Sequence, residues 1–198
     1  MSLTNTLLII LSITFLFQLI VPGLTEALYF QPSKALTHPY MFITSIFLHA
    51  NITHIFLNAY ALFLFGYIVE RKLDKKEYLI LFFGSGIFGS LLYYISYLIG
   101  LTPDIPALGA SGAIYGILAA AALLYPDLMV FLFFVPMKMK NAVLIWFLIS
   151  FIGLFNISSG IAHAAHLGGL IFGYLYTKYL LDKRRRYYED IIFNEEYY

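Results

Sequence analysis

Six long apolar runs, separated by short polar or turn-forming segments, constrain this 198-residue chain more than any other feature. A helix that crosses a bilayer needs about 20 apolar residues, and the runs approach that length. Their approximate bounds are residues 6–21, 42–69, 78–101, 111–125, 130–155 and 161–181. The pattern predicts an all-α, polytopic membrane protein, with a six-transmembrane-helix bundle in residues 1–182 and a short cytoplasmic tail over 183–198.

Composition limits the partners that such a chain can have. Hydrophobic residues make up 61% of the chain and charged residues 12%, and the formal net charge of +1 leaves no basic surface for nucleic acid. Cysteine is absent, which removes disulfides, zinc–thiolate sites and iron–sulfur clusters. The first run lacks a basic n-region and an A-x-A-like cleavage site, so we expect a retained helix. The expected partners are the lipid bilayer and other membrane proteins, with no nucleic acid.

The basic residues predict the orientation of the bundle, because short cytoplasmic loops are enriched in Lys and Arg. Only Lys34 falls in a connection after the first, third or fifth run. The other basic residues follow the second and fourth runs or close the sixth, and they are Arg71, Lys72, Lys75, Lys76, Lys138, Lys140, Lys178, Lys183, Arg184, Arg185 and Arg186. We therefore expect both termini to be cytoplasmic, in a cell (plasma) membrane.

The fourth run is short for a span. About 15 residues at 1.5 Å each give only ~22 Å, against a hydrocarbon core of ~30 Å. Its outer end is expected to lie below the membrane surface, and the irregular stretch before it is expected to line a wet cavity. Ser111, which begins this run, would then have water within reach.

A motif of small residues at the start of the fourth run is the first candidate for a catalytic site. Gly109-Ala110-Ser111-Gly112 is a turn that opens into a helix, where unpaired N–H groups could hold an oxyanion. Small residues four apart, such as Gly112 and Gly116, are also typical of close helix packing in membranes, so this motif alone is weak.

Histidines at the outer end of the sixth run are the second candidate. An ionisable group inside a span is a functional candidate by default, and both His163 and His166 lie there. Gly169 and Gly173 follow His166 by three and seven residues and leave a smooth face beside it. The fourth helix could approach that face, which would bring the His166 imidazole to Ser111.

The second run contributes His49, His54 and Asn58, of which the last two are four apart and share a helix face. In a helix that starts near Phe42, His54 would lie roughly 18 Å along the axis, deep enough to meet a submerged Ser111. An imidazole and a carboxamide aimed at one point could donate hydrogen bonds to an oxyanion. Interhelical hydrogen bonding is the alternative, and for His49 the two interpretations are equally supported.

The positions of the carboxylates narrow the mechanism. Every Asp and Glu, from Glu26 to Glu196, falls in a loop, at a helix end or in the tail. A serine mechanism here would therefore use a Ser–His dyad and not a triad. An aspartyl protease would need two embedded Asp residues, and a metalloprotease would need a Glu beside His163 or His166. We expect no cofactor and no metal.

Taken together, the motifs resemble those of the rhomboid family of intramembrane serine proteases, in its minimal six-helix form. The shared patterns are G-x-S-G at the start of the fourth helix, A-H-x-x-G in the sixth and H-x-x-x-x-H-x-x-x-N in the second. The resemblance implies hydrolysis of peptide bonds in or near transmembrane segments of protein substrates, at a site that opens to the outer side. It also implies access beside the fifth helix, along a mobile aromatic wall of Trp146, Phe147, Phe151 and Phe155.

The resemblance assigns roles residue by residue. Ser111 would be the nucleophile and His166 the general base and acid, with His54, Asn58 and the Ser111 backbone N–H as the oxyanion hole. Supporting residues would be Tyr115 against the catalytic imidazole, His49 in a structural or water-binding role, and the glycines Gly109, Gly112 and Gly169. It assigns no role to His163.

Two other functions stay open from the sequence. One is a non-proteolytic rhomboid-like protein that binds membrane proteins, although such relatives typically lack the Ser or the His. The other is a metal site or transporter that uses His49, His54, His163 and His166, since imidazoles suit zinc. No carboxylate or thiolate near these histidines supports it.

Overall fold

The structure is a computed structural model, and it describes residues 1–132, 134–156 and 161–196. Helices dominate it, with one small antiparallel hairpin between α7 and α8. The helices are α1 (Leu3–Ile20), α2 (Leu24–Leu28), α3 (Met41–Thr44), α4 (Ile52–Ala61), α5 (Tyr67–Glu70), α6 (Lys75–Leu98), α7 (Ser111–Leu124), α8 (Met139–Gly153) and α9 (His163–Glu196). The hairpin strands are β1 (Met129–Leu132) and β2 (Val135–Lys138).

Short turns connect several of these helices. Single 3-10 turns cover Pro32–Lys34 and Ser45–Phe47, and a π turn over Leu62–Gly66 joins α4 to α5. Ile52–Glu70 is therefore one helical stretch.

The helices confirm a membrane bundle. Among the described residues, α1, the stretch Ile52–Glu70 and α6 are long and apolar enough to cross a bilayer. Helices α7 and α8 are apolar but shorter. Helix α9 has 34 residues, or about 51 Å, which exceeds a hydrocarbon core of ~30 Å. It thus continues past residue 183, where the tail was expected to begin. The number of spans, six, stays a prediction.

The second apolar run is not one helix from Phe42. The chain leaves helical geometry after Phe47, and Asn51 then caps α4 by accepting a hydrogen bond from the His54 N–H at 2.9 Å. His54 therefore lies in the first turn of α4, and the expected 18 Å of preceding helix is wrong. The reason is local, because an Asn side chain that binds the backbone three residues later favours a new helix start.

The fifth run also differs from its expected bounds, since its first residues form the β1–β2 hairpin and α8 begins only at Met139. Pro136 explains the difference, because proline has no N–H to donate and disfavours helical geometry in the residue before it. In β2 this proline costs little, because a two-stranded hairpin leaves one edge of each strand unpaired.

Glycines bring α7 and α9 into backbone contact. A Cβ added at Gly169 would overlap the carbonyl oxygen of Gly112, and one added at Gly173 would overlap that of Gly116. One residue before Gly169, a Cβ at Gly168 would lie 2.8 Å from the Cα of Gly89 in α6. The three helices α6, α7 and α9 thus form a closely packed centre, as small residues permit in membranes.

Polar contacts define one end of the bundle. The Glu70 carboxylate at the end of α5 accepts hydrogen bonds from the Leu3 and Thr4 N–H groups at 2.6 and 3.0 Å. Arg184 in α9 pairs with Glu77 at the start of α6 and donates to the Lys72 carbonyl. The N-terminus, the α5–α6 turn and this part of α9 therefore lie together. Ser111 and His166 lie at the opposite end of their helices.

Candidate active site

Ser111 and His166 meet where α7 and α9 begin. Ser111 is the first residue of α7, and His166 lies in the first turn of α9. Ser111 Oγ and His166 Nε2 are 2.8 Å apart, which is hydrogen-bond distance. The contact between Gly169 and Gly112 explains this approach, because Gly169 lies within one turn of His166 and Gly112 is next to Ser111. The glycine face that the sequence predicted beside His166 is thus the one that packs on α7.

Tyr115 lies one turn after Ser111 and stacks on the His166 ring. The ring centroids are 4.2 Å apart and the planes differ by 11°. Such a stack restricts rotation of the imidazole about its side-chain torsions. It therefore helps to keep Nε2 directed at Ser111 Oγ.

His54 approaches the same turn from α4. The Ala50 N–H donates to His54 Nδ1 at 3.3 Å, which favours the neutral tautomer with its proton on Nε2. Gly109 has a φ of 128°, and an added Cβ there would lie 2.8 Å from His54 Cε1 and 2.9 Å from Nε2. Glycine is thus needed for both the backbone angle and the close approach of the ring. The Nε2 donor faces the turn that leads into Ser111.

Asn58 lies one turn after His54. Its Nδ2 donates to the His54 carbonyl at 2.8 Å, within the same helix, and the amide keeps a second N–H. Its side chain lines a cavity of about 620 Å³ together with His54, Ser111, Tyr115 and His166. Five of the predicted site residues therefore surround one space, which has the size of typical small-ligand pockets.

His49 lies in the connector between Phe47 and Asn51 and not in a helix. Gln18 of α1 holds its backbone from both sides, accepting from the His49 N–H at 2.9 Å and donating to its carbonyl at 3.2 Å. The buried His49 ring meets the His54 ring edge to face, with centroids 5.1 Å apart. Gln18 was missed from the sequence, although a polar residue in an otherwise apolar run is a usable signal.

His163 begins α9 and lines the cavity at its other side. Its ring packs on Gly153 at the end of α8, where an added Cβ would overlap it, and it meets the His166 ring edge to face at 6.2 Å. In the described ranges, no group of three or more His, Asp or Glu residues is placed to hold a metal ion.

The expected aromatic wall is divided between two faces of α8. Trp146 lines the cavity and packs edge to face on Phe65, with centroids 6.4 Å apart. Phe147, Phe151 and Phe155 instead pack on one another in a row, and all three are exposed on the outside of the bundle. Of these four side chains, Trp146 lines the cavity that contains Ser111 and His166, and Phe147 lines a separate cavity between α7, α8 and α9.

Comparison with known proteins gives a consistent family. Residues 36–183 match the family described as the Rhomboid domain. The chain is 34% identical over 152 residues to "Putative rhomboid protease YdcA" of Bacillus subtilis, covering 74% of this chain and 69% of that protein. It is 35% identical over 132 residues to "Rhomboid protease GluP" of the same organism, covering 67% of this chain and 24% of that protein.

Mitochondrial relatives match as well. The chain is 34% identical over 156 residues to "Rhomboid protein 1, mitochondrial" of Saccharomyces cerevisiae, covering 73% of this chain and 43% of that protein. It thus spans less than half the length of that relative and of GluP. The range that matches the Rhomboid domain, residues 36–183, contains His54, Ser111 and His166. The two Bacillus subtilis relatives are named as proteases, one of them as putative, and the chain therefore belongs to the rhomboid family of integral membrane proteins.

Proposed function

We propose that this protein is an intramembrane serine endopeptidase, which hydrolyses peptide bonds in or near transmembrane segments of other membrane proteins through a Ser111–His166 dyad. The observation that carries the proposal is the 2.8 Å distance between Ser111 Oγ and His166 Nε2 at the wall of a cavity. A serine beside an imidazole is the arrangement that activates a hydroxyl as a nucleophile.

The reaction follows from these two groups. His166 Nε2 takes the proton of Ser111 as Oγ attacks the peptide carbonyl carbon, and the carbonyl oxygen becomes an oxyanion. The protonated imidazole then gives this proton to the leaving amine, and an acyl-serine remains. Water then attacks the acyl carbon as the same ring takes its proton, and the ring returns this proton to Ser111 Oγ as the carboxylic acid product leaves. No metal or cofactor takes part in these steps.

The oxyanion would be held by His54, Asn58 and the Ser111 N–H. The favoured Nε2–H tautomer of His54 supports this role, because that N–H lies against Gly109, two residues before the nucleophile. The Ser111 N–H belongs to the first turn of α7, whose N–H groups have no partner within the helix. Donors fixed in advance around the developing charge are commonly the largest contribution to such catalysis.

The positions of the charges support an orientation. The charged residues Glu70, Glu77 and Arg184 lie at the end of the bundle opposite Ser111, beside the N-terminus and on the side of the basic connections. With both termini cytoplasmic, the cavity opens to the outer side of the membrane, proposed to be the plasma membrane.

The test is labelling of the purified protein in detergent with a fluorophosphonate probe, together with cleavage of a single-span substrate in proteoliposomes. We expect Ser111→Ala to abolish both signals. His166→Ala should lower labelling by at least about 10³-fold, because a serine without its base is a poor nucleophile. Ser12→Ala, which changes an exposed serine of α1, is the matched control and should leave both signals unchanged.

Each outcome separates the proposal from the other functions. Labelling that persists in Ser111→Ala would show that Ser111 is not the nucleophile. Cleavage abolished by a chelator would favour a metal-dependent reaction, and binding of the substrate without cleavage would favour a non-proteolytic membrane-protein binder.

A further inference from the structure

The β1–β2 hairpin has two faces with different surroundings. Cross-strand partners share a face, and the pairs Met129 with Lys138 and Phe131 with Pro136 point to one side. The other side holds Val130, which packs against the main core cluster, and the buried Leu132. The hairpin thus packs Val130 and Leu132 of one face on the bundle, while Val135 near the turn of that face is 55% exposed, and it leaves the other face uncovered.

The uncovered face is apolar. Met129 is 56% exposed and Phe131 is 76% exposed, while Phe134 in the turn is 98% exposed. A hairpin with one packed face usually has polar residues on the face that meets water. This composition fits contact with lipid and not with water.

Cations lie at the base of the same face. Lys138 and Lys140 both bind the Asp127 carboxylate, at 2.9 and 3.4 Å, so that one anion faces two cations. Hydrogen bonds from Lys138 and Lys140 lower the pKa of the Asp127 carboxyl below its ordinary value. The group of three therefore keeps a net positive charge at neutral pH. Exposed apolar side chains next to basic residues are typical of segments that lie at an anionic lipid surface.

We propose that this surface, formed by Met129, Phe131, Phe134, Lys138 and Lys140, inserts into the headgroup region of the membrane and binds the phosphate of an anionic phospholipid. The hairpin follows α7 at the end away from Ser111, since Tyr125 lies under the Lys72 ammonium at 5.8 Å. Its lipid would therefore belong to the leaflet on the side of the termini.

The consequence is an anchor for one end of α8. Strand β2 runs directly into α8, with Lys138 as the cap residue. The Met139 N–H donates to the Leu128 carbonyl at 2.8 Å, and the Lys140 N–H donates to the Pro126 carbonyl at 3.2 Å. A hairpin held in the headgroups would thus fix the start of α8 relative to α7. This inference does not depend on the proposed protease activity.

The test uses the absence of cysteine, which allows a single thiol to be placed anywhere. Phe131→Cys, and separately Met129→Cys, would carry an environment-sensitive fluorophore in vesicles of equal phosphatidylcholine and phosphatidylglycerol. Lys76→Cys is the matched control, because it is exposed at the same end of the bundle. We expect brominated lipid to quench the two hairpin labels and aqueous iodide to quench the label at residue 76. Equal iodide quenching at all three positions would overturn the insertion.

The phosphate partner is tested by placing bromine on one lipid at a time. For the label at residue 131, brominated phosphatidylglycerol should quench about fivefold more than brominated phosphatidylcholine. The double change Lys138→Gln and Lys140→Gln should remove this difference, whereas Asp127→Asn should keep or increase it. Unchanged preference in the double variant, with α8 still folded by Trp146 fluorescence, would overturn anionic phospholipid as the partner.

Discussion

Helix α9 contacts α7 and α8 in different ways. Against α7 it packs backbone to backbone, with Gly169 and Gly173 placed where any Cβ would overlap a carbonyl oxygen. Between α7, α8 and α9 lies instead an apolar cavity of about 430 Å³, lined by residues such as Ala119, Val143 and Leu170. The α7–α9 interface has no room for a further methyl group at Gly169 or Gly173, whereas the packing beside α8 leaves a cavity.

The proposed mechanism requires a fixed dyad and also a way in for the substrate, and the two interfaces serve these requirements separately. Ser111 and His166 lie on two helices whose backbones are in contact, and this packing fixes the positions of the two residues at their 2.8 Å contact. Helix α8 is tied by backbone hydrogen bonds at its first residues, while its last turn meets α9 through the His163 ring on Gly153. Elements with few close contacts open more readily. We therefore expect motion at the outer end of α8 and little at the dyad.

Gly169→Ala should have the largest effect, because the new methyl group would meet the backbone of α7, which cannot rotate away. Overpacking of this kind costs about 1–3 kcal/mol, and a backbone clash lies at the upper end of that range. We expect a lower midpoint of thermal unfolding in detergent, followed by Trp146 fluorescence. Fluorophosphonate labelling should fall by at least about tenfold, since 1.4 kcal/mol of lost positioning corresponds to that factor.

The matched control is Gly112→Ala, on the other side of the same interface. Its Cβ would lie 3.5 Å from the Ala165 carbonyl oxygen, which is ordinary contact. Alanine is also the better helix former, so the unfolding midpoint should not fall. Equal losses of stability in the two variants would contradict the close contact of Gly169 with the α7 backbone.

Much of this interface could be predicted from the sequence. Small residues after Ser111 and after His166 recur at helical spacing, and the polar pair His54 and Asn58 shares a face. In the structure, the residues of these patterns lie close together. The roles of Ser111, His166, His54, Asn58 and Tyr115 stay predictions that the proposed experiments test.

Other features depend on local geometry that apolar length does not report. The chain breaks before α4 because the Asn51 side chain caps a new helix, and Pro136 favours a strand inside an apolar run. Hydropathy counts both residues within a continuous span. The sequence does contain a signal for the start of α6, since Asp74 and Glu77, three residues apart, form a capping box. The packing of His163 on Gly153 joins residues far apart in sequence, and spacing rules do not address such contacts.

Tyr115→Leu should have an intermediate effect within the tightly packed region. It removes the ring that stacks on His166 but leaves the glycine contacts in place. Aromatic pairs contribute about 0.5–1.5 kcal/mol beyond buried area, so labelling of Ser111 should slow by roughly 2–10-fold. The unfolding midpoint should change less than in Gly169→Ala.

Tyr115→Phe keeps the stacked ring and removes only the hydroxyl, so it should label at close to the unmodified rate. The same slow labelling in the Phe and Leu variants would assign the effect to the hydroxyl and contradict positioning by the ring.

Gly153→Ala should have the smallest effect on stability and reports on the looser region. Its methyl group would meet the His163 ring, a side chain that can rotate, at the last turn of α8. We expect a smaller loss of stability than in Gly169→Ala, because a side chain can shift where a backbone carbonyl cannot, and unchanged labelling by the small probe, because the dyad does not move. Cleavage of a transmembrane substrate should rise, since the end of α8 is displaced, and His163→Ala in the same chain should cancel that rise. A fall in the unfolding midpoint as large as that of Gly169→Ala would mean that α8 is packed as rigidly as α7.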